Sequence, residues 1–173
     1  MASPYVAVNT RLSKHLDYSE VRCRCSGMQR RCTGGQLQIY TAALFESLRK
    51  AVCDYAGMDI PLIVTSGLRC PSWNAYVGGS PTSKHITGEA LDVLCPTKMN
   101  WIEFAIIANT VGENGGVGFY PHWKPNGGVH IDVCASPSHR RWHQDKQGKI
   151  KRGTHPEVEK QCGAWTFYGP GLV

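Results

Sequence analysis

Apolar residues recur at Leu37, Tyr40, Leu44, Leu48 and Val52, the three- and four-residue spacing of an amphipathic helix, so a helix is predicted over residues 36–55, ended by Gly57. Residues 60–66 and 90–95 are apolar runs of strand length. Asn100 is placed to cap a second helix running to Val111, with Trp101, Phe104, Ala105 and Ala108 inward. Residues 116–120 and 129–134 read as a hairpin joined by a loop bearing Pro and Gly. A short helical turn is expected at 72–77. The first 35 residues look irregular apart from a capped turn or short helix near Leu12 to His15 and Tyr18 to Glu20. The segment after 135 reads as a basic, loop-rich extension with a hairpin about Gln147 and Gly148 and an aromatic end, Trp165, Phe167 and Tyr168, that packs back. Helices mixed with sequential hairpins predict an α+β fold, a small, mostly antiparallel sheet with helices packed on one side. A chain of 173 residues, 42% hydrophobic, is enough for one such domain and leaves little room for two.

The polar residues that interrupt this pattern carry the chemistry. Asp92 lies among Ala90, Leu91 and Val93, where an ionised carboxylate needs a partner. His130 interrupts a second apolar strand. His85 belongs to a polar stretch that Gly88 allows to fold back over the first. Two imidazoles and one carboxylate, His85, Asp92 and His130, are the ligand inventory of a catalytic zinc that keeps one coordination position open. A lone histidine is usually a satisfied surface or core residue, and His15, His139, His143 and His155 are read that way.

Asp132 and His130, two apart on a strand, share a face and are expected in one pocket. Asp132 is therefore a candidate general base, or the group that orients a ligand histidine. His122, in the 121–128 loop, is a second candidate for the base. Glu89 falls on the strand face opposite Asp92 and is read as solvated. His130-x-Asp132 followed by a later histidine also matches the two-histidine, one-carboxylate site of non-haem iron oxygenases, a reading that leaves His85 and Asp92 without a role.

Ser83-x-His85-x-x-Gly88-x-Ala90-x-Asp92 with His130 downstream resembles the zinc D-alanyl-D-alanine peptidase superfamily, which includes cell-wall carboxypeptidases, phage endolysins and the hedgehog signalling domain. Thr65-Ser66-Gly67-Leu68-Arg69, Val77-Gly78-Gly79, Gly118-Phe119-Tyr120-Pro121 and Arg140-Arg141-Trp142 fall in the family's order, so the likeness runs from about Leu12 to Trp142 and points to the His-x-Asp-ending subgroup. The resemblance implies a hedgehog/DD-peptidase-like fold, Zn2+ on His85, Asp92 and His130, Arg69 on a substrate carboxylate or the scissile carbonyl region, and Ser83 supporting the site by hydrogen bonding. An arginine suits that task because its planar fork bonds a carboxylate bidentately. It implies hydrolysis of peptidoglycan stem peptides, as a D-Ala-D-Ala carboxypeptidase or an L-Ala-D-Glu endopeptidase. One departure is plain: many relatives carry a glutamate base three residues before the last histidine, and here that place is Gly127. A zinc-bearing wall-binding module that does not cleave is the alternative this departure favours.

Formal charge is +6, from 19 Lys plus Arg against 13 Asp plus Glu, with basic residues concentrated at 22–31 and 140–152. The excess favours anionic partners such as cell-wall polymer. The lack of an aromatic-basic stacking platform argues against nucleic acid. Neither a secretory apolar core at the N-terminus nor an apolar run of membrane-spanning length is found. Export would then need outside help, as for a phage or viral lysin present in the host cytoplasm or virion and acting on the bacterial cell wall. Cys23-x-Cys25 with Cys32 reads as half of a structural zinc site or part of a disulfide pair. Cys95 and Cys134 end the two ligand-bearing strands, where they are placed to bridge if the strands are neighbours.

Overall fold

In the computed structural model, residues 11–25, 32, 35–133 and 140–165 are described. A two-stranded ribbon, β1 (Arg11–Ser13) and β2 (Leu16–Asp17), leads into a short helix α1 (Tyr18–Val21). Its capping box is complete: Asp17 accepts from the Ser19 N–H at 2.9 Å while Glu20 accepts from the Asp17 N–H at 2.8 Å. Next come α2 (Ile39–Ala56), β3 (Ile63–Ser66), α3 (Pro71–Tyr76), β4 (Ala90–Leu94), α4 (Trp101–Val111), β5 (Gly116–Tyr120), β6 (Gly128–Asp132), β7 (Arg140–Gln144), β8 (Ile150–Arg152) and α5 (Pro156–Trp165). Six strands form one sheet in the order β3-β4-β6-β5-β7-β8, antiparallel except for the β5 and β7 pair. The α+β architecture is the expected one.

Alternation decides which face is which. Leu91 and Val93 of β4, Val117 and Phe119 of β5, and Val129 and Ile131 of β6 are all buried against Phe45, Leu48 and Val52 of α2 and Phe104, Ala105 and Ala108 of α4. Each such side chain contributes about 1.5–3 kcal/mol on burial. A one-residue slip would exchange them for the intervening polar set, so register is strongly held. The intervening residues, Asp92, His130 and Asp132, face the other side of the sheet, where the cleft lies.

Several expectations are corrected. The helix α2 starts at Ile39, and its buried stripe is Thr41, Phe45, Leu48 and Val52; Tyr40 is 72% exposed. Thr41 takes the inward place because its hydroxyl donates to the Gly88 carbonyl at 3.0 Å. The strand expected from residue 60 begins at Ile63, since Pro61 has no N–H to give a ladder. Glu89 is not simply solvated: it pairs with Lys84 at 3.1 Å and with Thr87. The basic segment after 135 is no mere extension, because β7 pairs in parallel with β5 and so belongs to the sheet. Its sequence, Arg-Arg-Trp-His-Gln, is half-buried throughout and shows no apolar alternation. The hairpin about Gln147 and Gly148 is present between β7 and β8, with Gly148 at φ +80°. The aromatic side chains at 165, 167 and 168 and the Cys95 to Cys134 pairing lie outside the described residues. Cys95 itself is a buried thiol that receives a contact from Asn126 Nδ2 at 3.3 Å. Among the described residues, no helix is long and apolar enough to cross a membrane.

Candidate metal centre

β4 and β6 pair so that Asp92 stands directly opposite His130, and β5 places Gly118 on the other side of His130. His85 arrives from the loop between α3 and β4. Gly88 makes the turn at φ +72°, so close to the Gln36 carbonyl that a Cβ there would lie 2.1 Å from its oxygen. The Gly88 carbonyl also accepts from the Gln38 N–H at 3.0 Å, docking the turn on the start of α2. The result is a triangle of ligand atoms: His85 Nε2 to Asp92 Oδ1 at 3.1 Å, His85 Nε2 to His130 Nδ1 at 3.2 Å, and His130 Nδ1 to Asp92 Oδ1 at 2.9 Å. All three residues are buried.

Outer partners orient both imidazoles. His85 Nδ1 lies 2.6 Å from the Gly67 carbonyl, which can only accept, so Nδ1 carries the proton and Nε2 presents its lone pair. His130 Nε2 lies 3.3 Å from Asp132 Oδ2, so that nitrogen donates and Nδ1 presents its lone pair. Two imidazole lone pairs and a carboxylate oxygen are thereby aimed at one point from about the separation that ligands of one ion adopt at zinc bond lengths of about 2.0–2.1 Å. Three such groups at this range can share one cation, and the donor set fits zinc.

Charge around the site agrees. Burial acts to raise the Asp92 pKa, but positive charge and hydrogen bonds at His85 and His130 outweigh it and hold the carboxyl far below its usual range, a part that a cation shared by the three would take over from those protons. Arg69 Nη2 pairs with the other Asp92 oxygen at 2.5 Å, and Arg69 Nε donates to Ser66 Oγ at 2.8 Å. For His130, burial works against the proton, yet Asp132 and Asp92 raise the pKa; a divalent cation would meet that same negative field.

Asp132 is buried behind His130, on the side away from the triangle. Its Oδ1 accepts from the Gly116 N–H at 3.1 Å and from Arg140 Nη2 at 2.6 Å, and its Oδ2 accepts from the same nitrogen at 2.7 Å. Gly116 and Gly118 leave the cleft face of β5 bare: a Cβ at Gly116 would stand 2.3 Å from Asp132 Oδ2, and one at Gly118 would stand 2.5 Å from the Trp142 ring. Trp142 therefore lies across β5 to reach His130, with ring centroids 5.1 Å apart. Trp142 Nε1 donates to the Tyr120 hydroxyl at 2.8 Å, and Tyr120 stacks on Trp123 at 4.2 Å. Burial keeps the Tyr120 phenol protonated by pushing its pKa up.

The cleft above the triangle holds about 560 Å3, with Arg69, Ser83, Tyr120 and Asp132 in its walls beside the three ligands. Ser83 donates its N–H to the Ser80 carbonyl at 2.9 Å and accepts from the Ile86 N–H at 3.0 Å, bonds within its own loop. His122 is exposed in the β5–β6 connection, outside the cleft walls. Gly127 cannot hold the glutamate base of many relatives: its φ is +79°, and a Cβ would lie 2.1 Å from the Trp101 ring. Sequence reasoning missed the Arg140 grip and the place of Tyr120 in the cleft wall. The signal for both was the bare Gly-x-Gly of β5, which leaves room for the side chains of its neighbours.

A comparison with curated proteins found no match. Among solved structures, the crystal structure of Serratia marcescens L-Ala D-Glu endopeptidase ChiX is similar at 22% identity over 54% of this chain and 88% of that one, with a TM-score of 0.31. A family profile described as Peptidase M15 matches residues 14–132, a span that starts ahead of the β1–β2 ribbon's second strand and closes on Asp132 after all three members of the triangle. The chain belongs to the Peptidase M15 family.

Proposed function

We propose that this chain is a zinc-dependent peptidoglycan peptidase that cleaves cell-wall stem peptides, as a D-Ala-D-Ala carboxypeptidase or an L-Ala-D-Glu endopeptidase, in the setting of a phage or viral lysin. The observation that carries the reading is the triangle of His85 Nε2, Asp92 Oδ1 and His130 Nδ1, with both tautomers set from behind, beneath an open cleft. When bound there, the ion supplies Lewis acidity, polarising the scissile carbonyl and lowering the pKa of water toward about 7. The chain does the rest. Arg69 pairs with one Asp92 oxygen, which leaves the other turned toward the ligand point, and presents a cation to the cleft. Tyr120 accepts from Trp142, which leaves the phenol proton to donate to a carbonyl oxygen in the cleft. Asp132 acts through His130 as a positioning residue, because its oxygens are already taken by Arg140, the Gly116 N–H and the imidazole.

Digestion of purified peptidoglycan by the zinc-loaded protein, with released ends identified by mass spectrometry, tests this. Free D-Ala marks the carboxypeptidase, and new D-Glu amino ends mark the endopeptidase. One observation favours a second reading, a zinc-bearing wall-binding module: Gly127 excludes the glutamate base, and Asp132 is saturated by its partners. Wall binding with no new ends at all would replace the hydrolase by that module.

A further inference from the structure

Four cysteines meet at the residue after Arg69, outside the walls of the cleft. The sulfurs of Cys23, Cys25, Cys32 and Cys70 all lie within 4.8 Å of one another, and all four are free thiols. Tetrahedral thiolates on one zinc, at Zn–S of about 2.3 Å, stand about 3.8 Å apart, so the cluster has the dimensions of a single-ion site. Cys25 is buried and the other three are half-buried. Backbone N–H groups point at sulfur: Cys70 N–H donates to Cys23 Sγ at 3.2 Å, and Trp73 N–H donates to Cys70 Sγ at 3.4 Å. Such bonds favour the thiolate, the form that binds metal.

We propose that Cys23, Cys25, Cys32 and Cys70 form a second, closed, four-coordinate zinc site that is structural. Three ligands come from the segment after α1 and one from the residue that precedes α3, so the ion staples the N-terminal segment to the loop between β3 and α3. That loop is the back wall of the cleft. Its Gly67 carbonyl sets the His85 tautomer, and Arg69, next to Cys70 in the chain, holds Asp92. The two segments already touch closely: Leu68 N–H donates to the Val21 carbonyl at 2.7 Å, and a Cβ at Gly67 would stand 2.6 Å from Val21. A closed S4 site suits structural zinc, since it leaves no position for substrate. The fourth ligand was invisible in the sequence because Cys70 lies 38 residues beyond Cys32, across α2 and β3.

The test measures metal content and thiolate ligation in the whole protein. Zinc per chain by mass spectrometry is expected to be two in wild type, one in His130→Ala and one in Cys70→Ser. His130→Ala exchanged with cobalt should show intense near-ultraviolet thiolate-to-cobalt charge transfer, a signature of sulfur ligands that the cleft cannot produce. That variant keeps every cysteine, so the result stands even where Cys70→Ser fails to fold. Wild type with one ion and those cobalt bands would support the cysteine site while removing the ion from the cleft. A His130→Ala protein with no zinc and with these cysteines open to a thiol reagent overturns the proposal, as does iron in place of zinc or a disulfide among the four.

Discussion

Arg140 reaches across the bare backbone of Gly116 to grip Asp132, its Nη2 lying 2.6 Å from one carboxylate oxygen and 2.7 Å from the other. The carboxylate is 1% exposed and the guanidinium 37%, so the pair is a buried anion held by a cation at the cleft edge. Asp132 in turn fixes which nitrogen of His130 faces the metal position. Arg140→Ala should therefore weaken zinc binding at the cleft by about 10–100-fold, and Arg140→Lys should recover part of it, because an ammonium restores the charge but not the fork. Competition against a chromogenic chelator, with His130→Ala as the reference that keeps every cysteine, isolates the cleft ion by difference. Unchanged affinity in Arg140→Ala would remove the positioning role.

Asp132→Asn separates positioning from proton transfer. A positioning residue predicts a loss of hydrolysis of about 10–100-fold with the shape of the pH–rate profile retained. Loss of a general base would cost about 100–10,000-fold and take the acidic limb of the profile with it. Rates on purified peptidoglycan from pH 5 upward distinguish the two, and the first outcome is expected.

Installing the missing glutamate should not help. Gly127→Glu puts a side chain at φ +79°, against the Trp101 ring, and is expected to lower stability by about 1–3 kcal/mol without raising turnover. Thermal unfolding and hydrolysis rates check this; a more active variant would contradict the geometry.

Glu46 of α2 ties down the β1–β2 ribbon. It accepts from Ser13 Oγ at 2.6 Å, from the His15 N–H at 2.7 Å and from His15 Nδ1 at 2.7 Å. Burial acts to raise its pKa, but the bonds from His15 and Ser13 outweigh it and the value is lowered. A folded pKa below the unfolded value of about 4.3 means the contribution is present above that value and is lost as pH falls through the lowered folded one. Urea unfolding midpoints taken from neutral to acid pH should fall less steeply in Glu46→Gln than in wild type.

Metal removal should be felt in stability as well as activity. An ion that binds the folded state alone adds about 2.7 kcal/mol at 100 times its dissociation constant. Chelated protein should melt at a lower temperature and recover on addition of zinc. A melt indifferent to chelation would count against both metal sites.

The alternation of apolar and polar residues in β4 and β6 was legible from the chain alone, because a strand has a period of two: once Leu91, Val93, Val129 and Ile131 are buried against α2 and α4, Asp92, His130 and Asp132 must share the other face. The cap at Asn100 and the stop at Gly57 were legible because each is a local signal. Tyr40 read as inward because periodicity marks a stripe without saying which edge of it the sheet meets. The grip of Arg140 on Asp132, the Trp142 ring over Gly118, the parallel docking of β7 and the arrival of Cys70 beside Cys23 were decided by tertiary structure. Each of those joins residues distant in the chain, and no spacing along one segment encodes which remote segment will lie beside it.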